Sequence, residues 1–189
     1  MSVKRHNPHP LTSTGLEELA LAYVARFATT QARLGAYLHR KLRERGWAGA
    51  GSPPVDAVVR RHVEAGHVDD AAWARMKAGS LLRRGYGARR VGEALGQAGV
   101  EEQVREEARP GESEQRRAAL VMARRRRFGP FAVQIPGGAP QERQRERQIA
   151  AMLRAGHPLD IARRIVDASD PEAAEQWAES VAGDDVGDD

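Results

Sequence analysis

The chain repeats one pattern of alanine, leucine and glycine residues three times, with a period near fifty residues. An Ala-Arg pair recurs every 49 residues near the start of three helical patterns, at Ala25–Arg26, Ala74–Arg75 and Ala123–Arg124. Three later helical patterns end in a leucine followed closely by a glycine, at Leu42–Gly46, Leu95–Gly99 and Leu153–Gly156. Such recurrence indicates a small unit that stacks on neighbouring copies because it cannot bury its apolar face alone. A stack presents a long surface, so the pattern favours a binding protein over an enzyme.

Composition favours helices throughout. Aromatic residues make up 5% of the chain and charged residues 30%, which argues against a thick sandwich or barrel core. Alanine, leucine, arginine, glutamate and glutamine dominate, and these residues form helices readily. The best candidate strand, 131–135, is short. We therefore predict an all-α fold in which three tandem three-helix repeats form an elongated, curved array.

Glycine and proline breaks divide the chain into five predicted segments. Thr29 or Thr30 is expected to cap the second helix, and Asp70 is expected to cap the first helix of the second repeat. The segments are a disordered stretch over 1–14, repeats over 15–68, 69–110 and 111–168, and an acidic tail over 169–189.

Charge is distributed unevenly along the chain. From Asp167 onward there are nine acidic residues and no lysine or arginine. Removing these nine negative charges from the net charge of +4 leaves +13 for residues 1–166. A basic body suggests an anionic partner, while for any individual arginine a solvated helix face is the alternative explanation.

The chain lacks the residues that several kinds of functional site require. The chain has no cysteine, which excludes disulfides, thiolate zinc sites and thiol nucleophiles. The six histidines are scattered, so we expect no catalytic residue, no metal and no cofactor. Neither a signal-peptide pattern nor an apolar run of about 20 residues occurs, which predicts a cytoplasmic protein without a membrane segment.

Two arginine clusters are the strongest candidate sites. In the first, residues 83–90, two glycines remove side-chain bulk at a corner between helices, and guanidinium groups suit carboxylates and phosphates. Arg89 and Arg90 also lie near a helix start, where free amides favour anions. The second cluster, residues 124–127, spreads around more than half a helical turn, so its members cannot all reach one ligand. The candidate partner- and DNA-binding residues are Arg83, Arg84, Tyr86, Arg89, Arg90, Arg124, Arg125 and Arg127.

A structural role for the same residues is an equally good explanation of the first cluster. Gly85 and Gly87 could serve only to allow a turn, with Tyr86 covering the joint between units. The Gly-x-Gly spacing is not a nucleotide-binding fingerprint, because it follows a helix and lacks a third glycine.

The central repeat contains an ordered series of short motifs, at Gly66–Asp70, Leu82–Val91, Leu95 and Gly99–Val100. This series resembles the RecX family of recombinase regulators, which shows a Gly-aromatic-Leu-Asp-Asp turn, then Arg-Gly-x-Gly-x-Arg-Arg-Ile, then a leucine and a Gly-Ile pair. The ordered likeness covers residues 16–168. Arg33 and His67 depart from the residues that the family favours, as does the insert over 128–140.

The resemblance implies a non-enzymatic regulator that binds the RecA filament on DNA. Such proteins inhibit filament extension, ATP hydrolysis and strand exchange, and so modulate recombination, DNA repair and the SOS response. The expected partners are RecA and non-specific single- or double-stranded DNA, and the expected state is a monomer.

Two other functions stay open at this point. One is a helical-repeat protein that binds DNA or RNA phosphates directly, without a recombinase partner, and the other is a small helical hydrolase with an unrecognised site. The acidic tail favours the regulator, because a pure phosphate binder would gain little from nine local negative charges. The tail is also expected to compete with DNA for the basic face.

Overall fold

A computed structural model of the chain describes residues 9–132 and 141–180. Over these ranges it contains ten α-helices, one short 3-10 helix and no β-strand, which confirms the predicted all-α class. None of the helices described is both long and apolar enough to cross a bilayer. The α-helices are α1 (Ser13–Val24), α2 (Gln31–Arg45), α3 (Val55–Glu64), α4 (Asp70–Arg83), α5 (Ala88–Gln97), α6 (Glu102–Glu107), α7 (Glu112–Arg126), α8 (Gln141–Arg154), α9 (Leu159–Val166) and α10 (Pro171–Glu179).

The first compact unit comprises residues 1–74 and 97–104. Its core is formed where α1, α2 and α3 pack against one another. Trp73 is also buried, and its indole N–H donates to the Ala28 carbonyl at 3.2 Å. The buried apolar residues of this core are Leu11, Leu16, Ala20, Leu34, Leu38, Val55, Val58 and Val68.

The second compact unit comprises residues 75–96 and 105–189. Helix α7 packs against α9 and α10, and α8 packs against α9. The Phe131–Ile135 segment, considered above as a short strand, begins at the end of a 3-10 helix (Gly129–Phe131), and residues 133–135 lie outside the described residues. The core of this unit consists of Ala119, Leu120, Met122, Ala123, Ile149, Met152, Ile161, Ala162, Ile165, Val166, Ala174 and Ala178.

The prediction that residues 1–14 form a disordered segment is wrong for its last few positions. Leu11 is only 1% exposed, and its N–H donates to the Gly46 carbonyl at 2.9 Å. Leu11 also forms an isolated parallel bridge with Trp47. Burial of the Leu11 side chain and the backbone hydrogen bonds of Leu11 hold this polar, proline-containing stretch in place, whereas residues 1–8 lie outside the described residues.

The predicted cap of α4 is wrong by one residue. Asp69, not Asp70, accepts a hydrogen bond from the Ala72 amide at 2.8 Å, and α4 begins at Asp70. Asp70 accepts instead from the Gln31 amide at 2.9 Å, at the start of α2. Burial raises the pKa of the Asp70 carboxyl despite this hydrogen bond. Asp70 therefore joins two helix starts within the first unit.

The end of α5 meets the start of α2 in the first unit. Thr30 caps α2 by accepting from the Arg33 amide, and its hydroxyl donates to the Ala98 carbonyl at 2.6 Å. Gly99 follows directly with a φ of 74°, and a Cβ added there would overlap the Cβ of Ala32. The negative end of one helix thus faces the positive end of another, an arrangement that the helix dipoles favour.

The same kind of contact recurs in the second unit, where the end of α8 meets the start of α5. The Gly87 amide donates to the Ala155 carbonyl at 3.0 Å, and the Arg89 amide donates to the Gly156 carbonyl at 3.2 Å. Gly156 has a φ of 97°, and a Cβ there would lie 2.5 Å from the Arg90 nitrogen. We call both contacts helix-end joints: each places a glycine that ends one helix on the first turn of another.

Candidate interaction surface

The corner between α4 and α5 is built around Gly85. Its amide donates to the Leu82 carbonyl and the Tyr86 amide donates to the Leu81 carbonyl, which together form a Schellman-type helix end. Gly85 has a φ of 82°, and a Cβ there would come within 2.9 Å of the Met122 backbone. The glycine is therefore required both by the turn and by the close approach of α7.

This corner brings Arg84, Tyr86 and Arg125 together. The Arg84 Nε donates to the Ser80 carbonyl at 3.2 Å, and the guanidinium lies 5.7 Å from the centre of the Tyr86 ring. The Arg125 guanidinium donates to the Arg84 carbonyl at 2.9 Å. These contacts hold two guanidinium groups at the corner that carries the exposed Tyr86 phenol, and most of their N–H donors are left over for a ligand.

The three side chains border a small cleft, which we call the arginine cleft. It has a volume of about 280 Å³, and no carboxylate lines it. Guanidinium groups form paired hydrogen bonds with carboxylates and phosphates, so the cleft suits an anionic group with a flat or apolar neighbour over Tyr86. Its lining residues are Arg84, Gly85, Tyr86, Met122, Arg125, Arg126 and Ala155.

Arg89 and Arg90 lie on the first turn of α5 and are engaged with Glu93. Both guanidiniums pair with the Glu93 carboxylate, and Arg89 also donates to the Leu153 carbonyl at 2.9 Å. The amides of Gly87 and Arg89 already donate to carbonyls of the α8 end. The expectation of a free anion site at this helix start is therefore wrong for these two amides.

The remaining candidates do not reach the arginine cleft. Arg124 pairs with Glu175 of α10 and lies 5.9 Å from the centre of the Phe131 ring. Arg127 ends α7 in the left-handed conformation with a φ of 56°. Arg83, on the last turn of α4, is exposed. Of the run over 124–127, only Arg125 and Arg126 line the cleft, as the helical spread of the run requires.

Two features of the second unit were missed by sequence reasoning. Arg126 was left out because periodicity alone does not say which face of α7 meets the corner. His157 is only 3% exposed, and its Nε2 lies 3.0 Å from the Gly85 carbonyl oxygen. Burial lowers the pKa of His157. The sequence does carry a signal for this position, because His157 follows Gly156 as the apolar Val100 follows the matching Gly99.

Two histidines that are separate in the sequence lie side by side in the first unit. The Nδ1 atoms of His62 and His67 lie 3.0 Å apart. Burial, and then the neighbouring His67, lower the pKa of His62. Glu17 lies near the other edge of His62 and pairs with Arg61. Within 9–132 and 141–180, no group of three or more histidine, aspartate or glutamate side chains is arranged to hold a metal ion.

Comparison with solved structures supports the fold. The crystal structure of RecX from Lactobacillus salivarius superposes with a TM-score of 0.64, covering 89% of this chain and 97% of that one. The two sequences are 12% identical, so this likeness concerns the fold alone. No protein-family model matches the chain.

Sequence relatives identify the family. The regulatory protein RecX of Myxococcus xanthus (strain DK1622) is 34% identical over 170 residues, which span 86% of this chain and 89% of that protein. The regulatory protein RecX of Mycobacterium sp. (strain JLS) is 36% identical over 104 residues, or 54% of this chain and 55% of that protein. The extent of the first match exceeds what a single shared motif would give, and the chain belongs to the RecX family of regulatory proteins.

Proposed function

We propose that this protein binds the RecA–DNA filament and inhibits its extension, ATP hydrolysis and strand exchange, without catalytic activity of its own. Membership of a family of regulatory proteins supports a regulator. The observation that carries the proposal is the arginine cleft, which Arg84, Arg125 and Arg126 line together with Tyr86 and with no carboxylate. A nucleoprotein filament offers both phosphates and protein carboxylates, and guanidinium groups bind either.

We further propose that the protein is a cytoplasmic monomer and that it is built of three repeats, over 15–68, 69–110 and 111–168. The two helix-end joints support this division, because Gly99 on α2 and Gly156 on α5 make equivalent contacts one repeat apart. Stacked repeats of this kind expose long surfaces, which suit a helical polymer as a partner.

The decisive experiment is a titration of RecA ATP hydrolysis on single-stranded DNA with the purified protein. We expect inhibition at concentrations well below those at which the protein coats bare DNA. Inhibition only at coating concentrations would contradict a filament regulator. It would favour direct phosphate binding. In that case the logarithm of the DNA-binding constant falls linearly with the logarithm of the salt concentration, with a slope of about −0.9 for each phosphate contacted on duplex DNA.

A paired variant tests the arginine cleft within the same assay. Arg84→Ala with Arg125→Ala is expected to raise the half-inhibitory concentration at least about tenfold, because even one lost hydrogen bond to a charged group costs about 1.5–3 kcal/mol and about 1.4 kcal/mol is a factor of ten. The control is Arg40→Ala with Arg43→Ala, which removes two exposed arginines from α2. Equal effects of the two pairs, with unchanged helical content by circular dichroism, would show that overall charge rather than the cleft carries the inhibition.

A further inference from the structure

Three aromatic side chains of the first unit form one continuous stack, which we call the aromatic stack. The rings of Tyr23 and Tyr37 lie face to face, with their centres 4.2 Å apart and their planes 19° apart. The Phe27 ring follows, tilted by 48°, with its centre 5.2 Å from that of Tyr23. Both tyrosines pack against the core of the unit, whereas Phe27 lies beyond the end of α1 and is 56% exposed. The stack thus leads from the core to an aromatic ring in solvent.

The chain around the aromatic stack carries positive charge and no carboxylate. Residues 19–43 contain four arginines, one lysine and neither aspartate nor glutamate. Arg40 and Lys41 lie over the Tyr37 ring, and both pair with Glu44. These two cations are therefore engaged already, so a ligand of the stack has to find its cations at the other end, near the exposed phenylalanine.

Two arginines beside Phe27 are exposed and have no ion-pair partner. Arg26 directly precedes Phe27, and the Arg33 guanidinium lies 4.8 Å from the centre of the Trp73 ring. The Trp73 indole donates at 3.2 Å to the carbonyl of the residue after Phe27, which connects Arg33 to this turn. Asp70, the carboxylate at the start of α2, accepts from a backbone amide instead. Over residues 9–132 and 141–180 no carboxylate pairs with Arg26 or Arg33, so their N–H donors are left over for a ligand.

An exposed aromatic ring beside unpaired guanidinium groups suits a single-stranded nucleic acid. An unpaired base offers a flat face that can lie on the Phe27 ring, and the flanking phosphates can bind the arginines. In a duplex the faces of the internal bases are covered by their neighbours, so the ring has nothing to stack on. An acidic peptide without aromatic residues would satisfy the arginines but leave the ring uncovered.

We propose that the exposed end of the aromatic stack is a binding site for single-stranded DNA. One base stacks on Phe27, and phosphates of the same strand bind Arg26 and Arg33. This site belongs to the first unit and shares no residue with the arginine cleft of the second unit. The inference does not rest on the proposed function, because its tests need only the protein and DNA, without RecA.

The first test titrates the full chain into a fluorescently labelled oligothymidylate of about 16 nucleotides and follows its anisotropy. Phe27→Ala is expected to raise the Kd about fivefold to a hundredfold, which is what one base stacked on an aromatic side chain contributes. The matched control is Leu21→Ala, which removes an apolar side chain of similar exposure, 53%, from α1 and should leave the Kd unchanged. Equal Kd values for wild type and Phe27→Ala would overturn the proposal.

Two further substitutions at the same position separate stacking from general apolar contact. Phe27→Trp keeps an aromatic face and should retain the wild-type Kd. Phe27→Leu keeps an apolar side chain without a ring and should bind as weakly as Phe27→Ala. Wild-type affinity in Phe27→Leu would show that the ring stacks on no base.

A duplex of the same length separates stacking from charge. Phe27→Ala should leave the duplex Kd unchanged, because the bases of a duplex are already stacked on one another. Equal losses of affinity for the duplex and for the single strand would mean that Phe27 acts through the fold of the unit, and the proposal would be wrong.

The salt dependence of binding tests the arginines. Arg33→Gln should reduce the slope of log K against log salt on the single strand by about 0.7, the share of one phosphate contact. Arg60→Gln, at an exposed arginine of α3, is the control and should keep the wild-type slope. Equal slopes for wild type and Arg33→Gln would contradict phosphate binding at this site.

The RecA assay distinguishes DNA from a protein partner at Phe27. Weaker inhibition of ATP hydrolysis by Phe27→Ala, together with an unchanged Kd for oligothymidylate, would assign the ring to a protein contact and overturn the stacking site. Failure of the proposed function is a separate result, because it would appear as absent inhibition by the wild-type protein whatever the oligothymidylate Kd is.

Discussion

At the scale of single residues, Gly87 tests how tightly the second helix-end joint is packed. A Cβ at Gly87 would overlap the backbone of Gly156 and His157, so the two helix ends would have to separate. We expect Gly87→Ala to lower the free energy of unfolding by about 1–3 kcal/mol, as overpacking usually does. Gly92→Ala in α5 is the control, because nothing lies within 4 Å of the added methyl group.

The control substitution Gly92→Ala is expected to change the free energy of unfolding in the opposite direction. Alanine is favoured over glycine inside a helix by about 1 kcal/mol, so Gly92→Ala should stabilise the protein. Chemical denaturation of the two variants measures both effects. A neutral Gly87→Ala would mean that the start of α5 and the end of α8 are not in close contact.

Buried histidines give the protein a predictable response to acid. Burial lowers the pKa of His157 and of His62 in the folded state, so below the usual histidine pKa the unfolded chain binds more protons than the folded one. The free energy of unfolding is therefore expected to be greatest above about pH 6.5 and to fall as the pH is lowered towards 5. Each histidine can contribute up to about 1.4 kcal/mol per pH unit.

The histidine contribution can be isolated by substitution. His157→Gln keeps an N–H donor for the Gly85 carbonyl without a titrating ring, so it should flatten the fall between pH 7.5 and 5. His39→Gln, at an exposed position on α2, is the matched control. Denaturant unfolding at several pH values supplies the measurement, and identical pH profiles for wild type and His157→Gln would rule out this role.

At the scale of elements, Thr30 links the start of α2 to the end of α5. It caps α2 and also donates to the Ala98 carbonyl, whereas Thr12 only caps α1. Loss of a cap costs about 1 kcal/mol, and loss of a buried hydrogen bond leaves the Ala98 carbonyl unsatisfied. Thr30→Ala should therefore destabilise the protein by about 1–3 kcal/mol more than Thr12→Ala does. Equal losses by thermal unfolding would show that the Ala98 contact contributes nothing.

The sequence is most informative about where the helices end. The glycines at 46, 99 and 156 were predicted as helix ends from their spacing, and all three have positive φ angles. The Arg84–Tyr86 corner was likewise visible as a break between two helical patterns. The contribution of Arg125 and Arg126 was not, because the face that α7 presents is set by packing against other elements. The anchoring of Leu11 escaped notice for a similar reason, since nothing local to it signals Gly46 as its partner.

At the scale of the whole molecule, the structure sets where a deletion that tests competition between the acidic tail and DNA should begin. Helix α10 lies inside the predicted tail, and its Ala174 and Ala178 are buried in the core of the second unit. Deleting residues 169–189 would therefore expose that core, so the deletion should begin after Ser180. Removal of the four aspartates beyond it is expected to raise DNA affinity about threefold to tenfold at low salt, with a smaller gain at high salt. Unchanged affinity in a filter-binding or anisotropy assay would reject competition between this segment and DNA.

The contact between Leu11 and Gly46 has a counterpart in each of the two helix-end joints. On the repeat scheme that we propose, Gly46 corresponds to Gly99 and Gly156, the glycines that dock on an earlier helix start. Leu11 and Pro10 lie against Gly46, and the Ala48 amide donates to the Leu11 carbonyl at 2.9 Å. Leu11 and Pro10 thus occupy at Gly46 the position that the start of another helix occupies at Gly99 and Gly156.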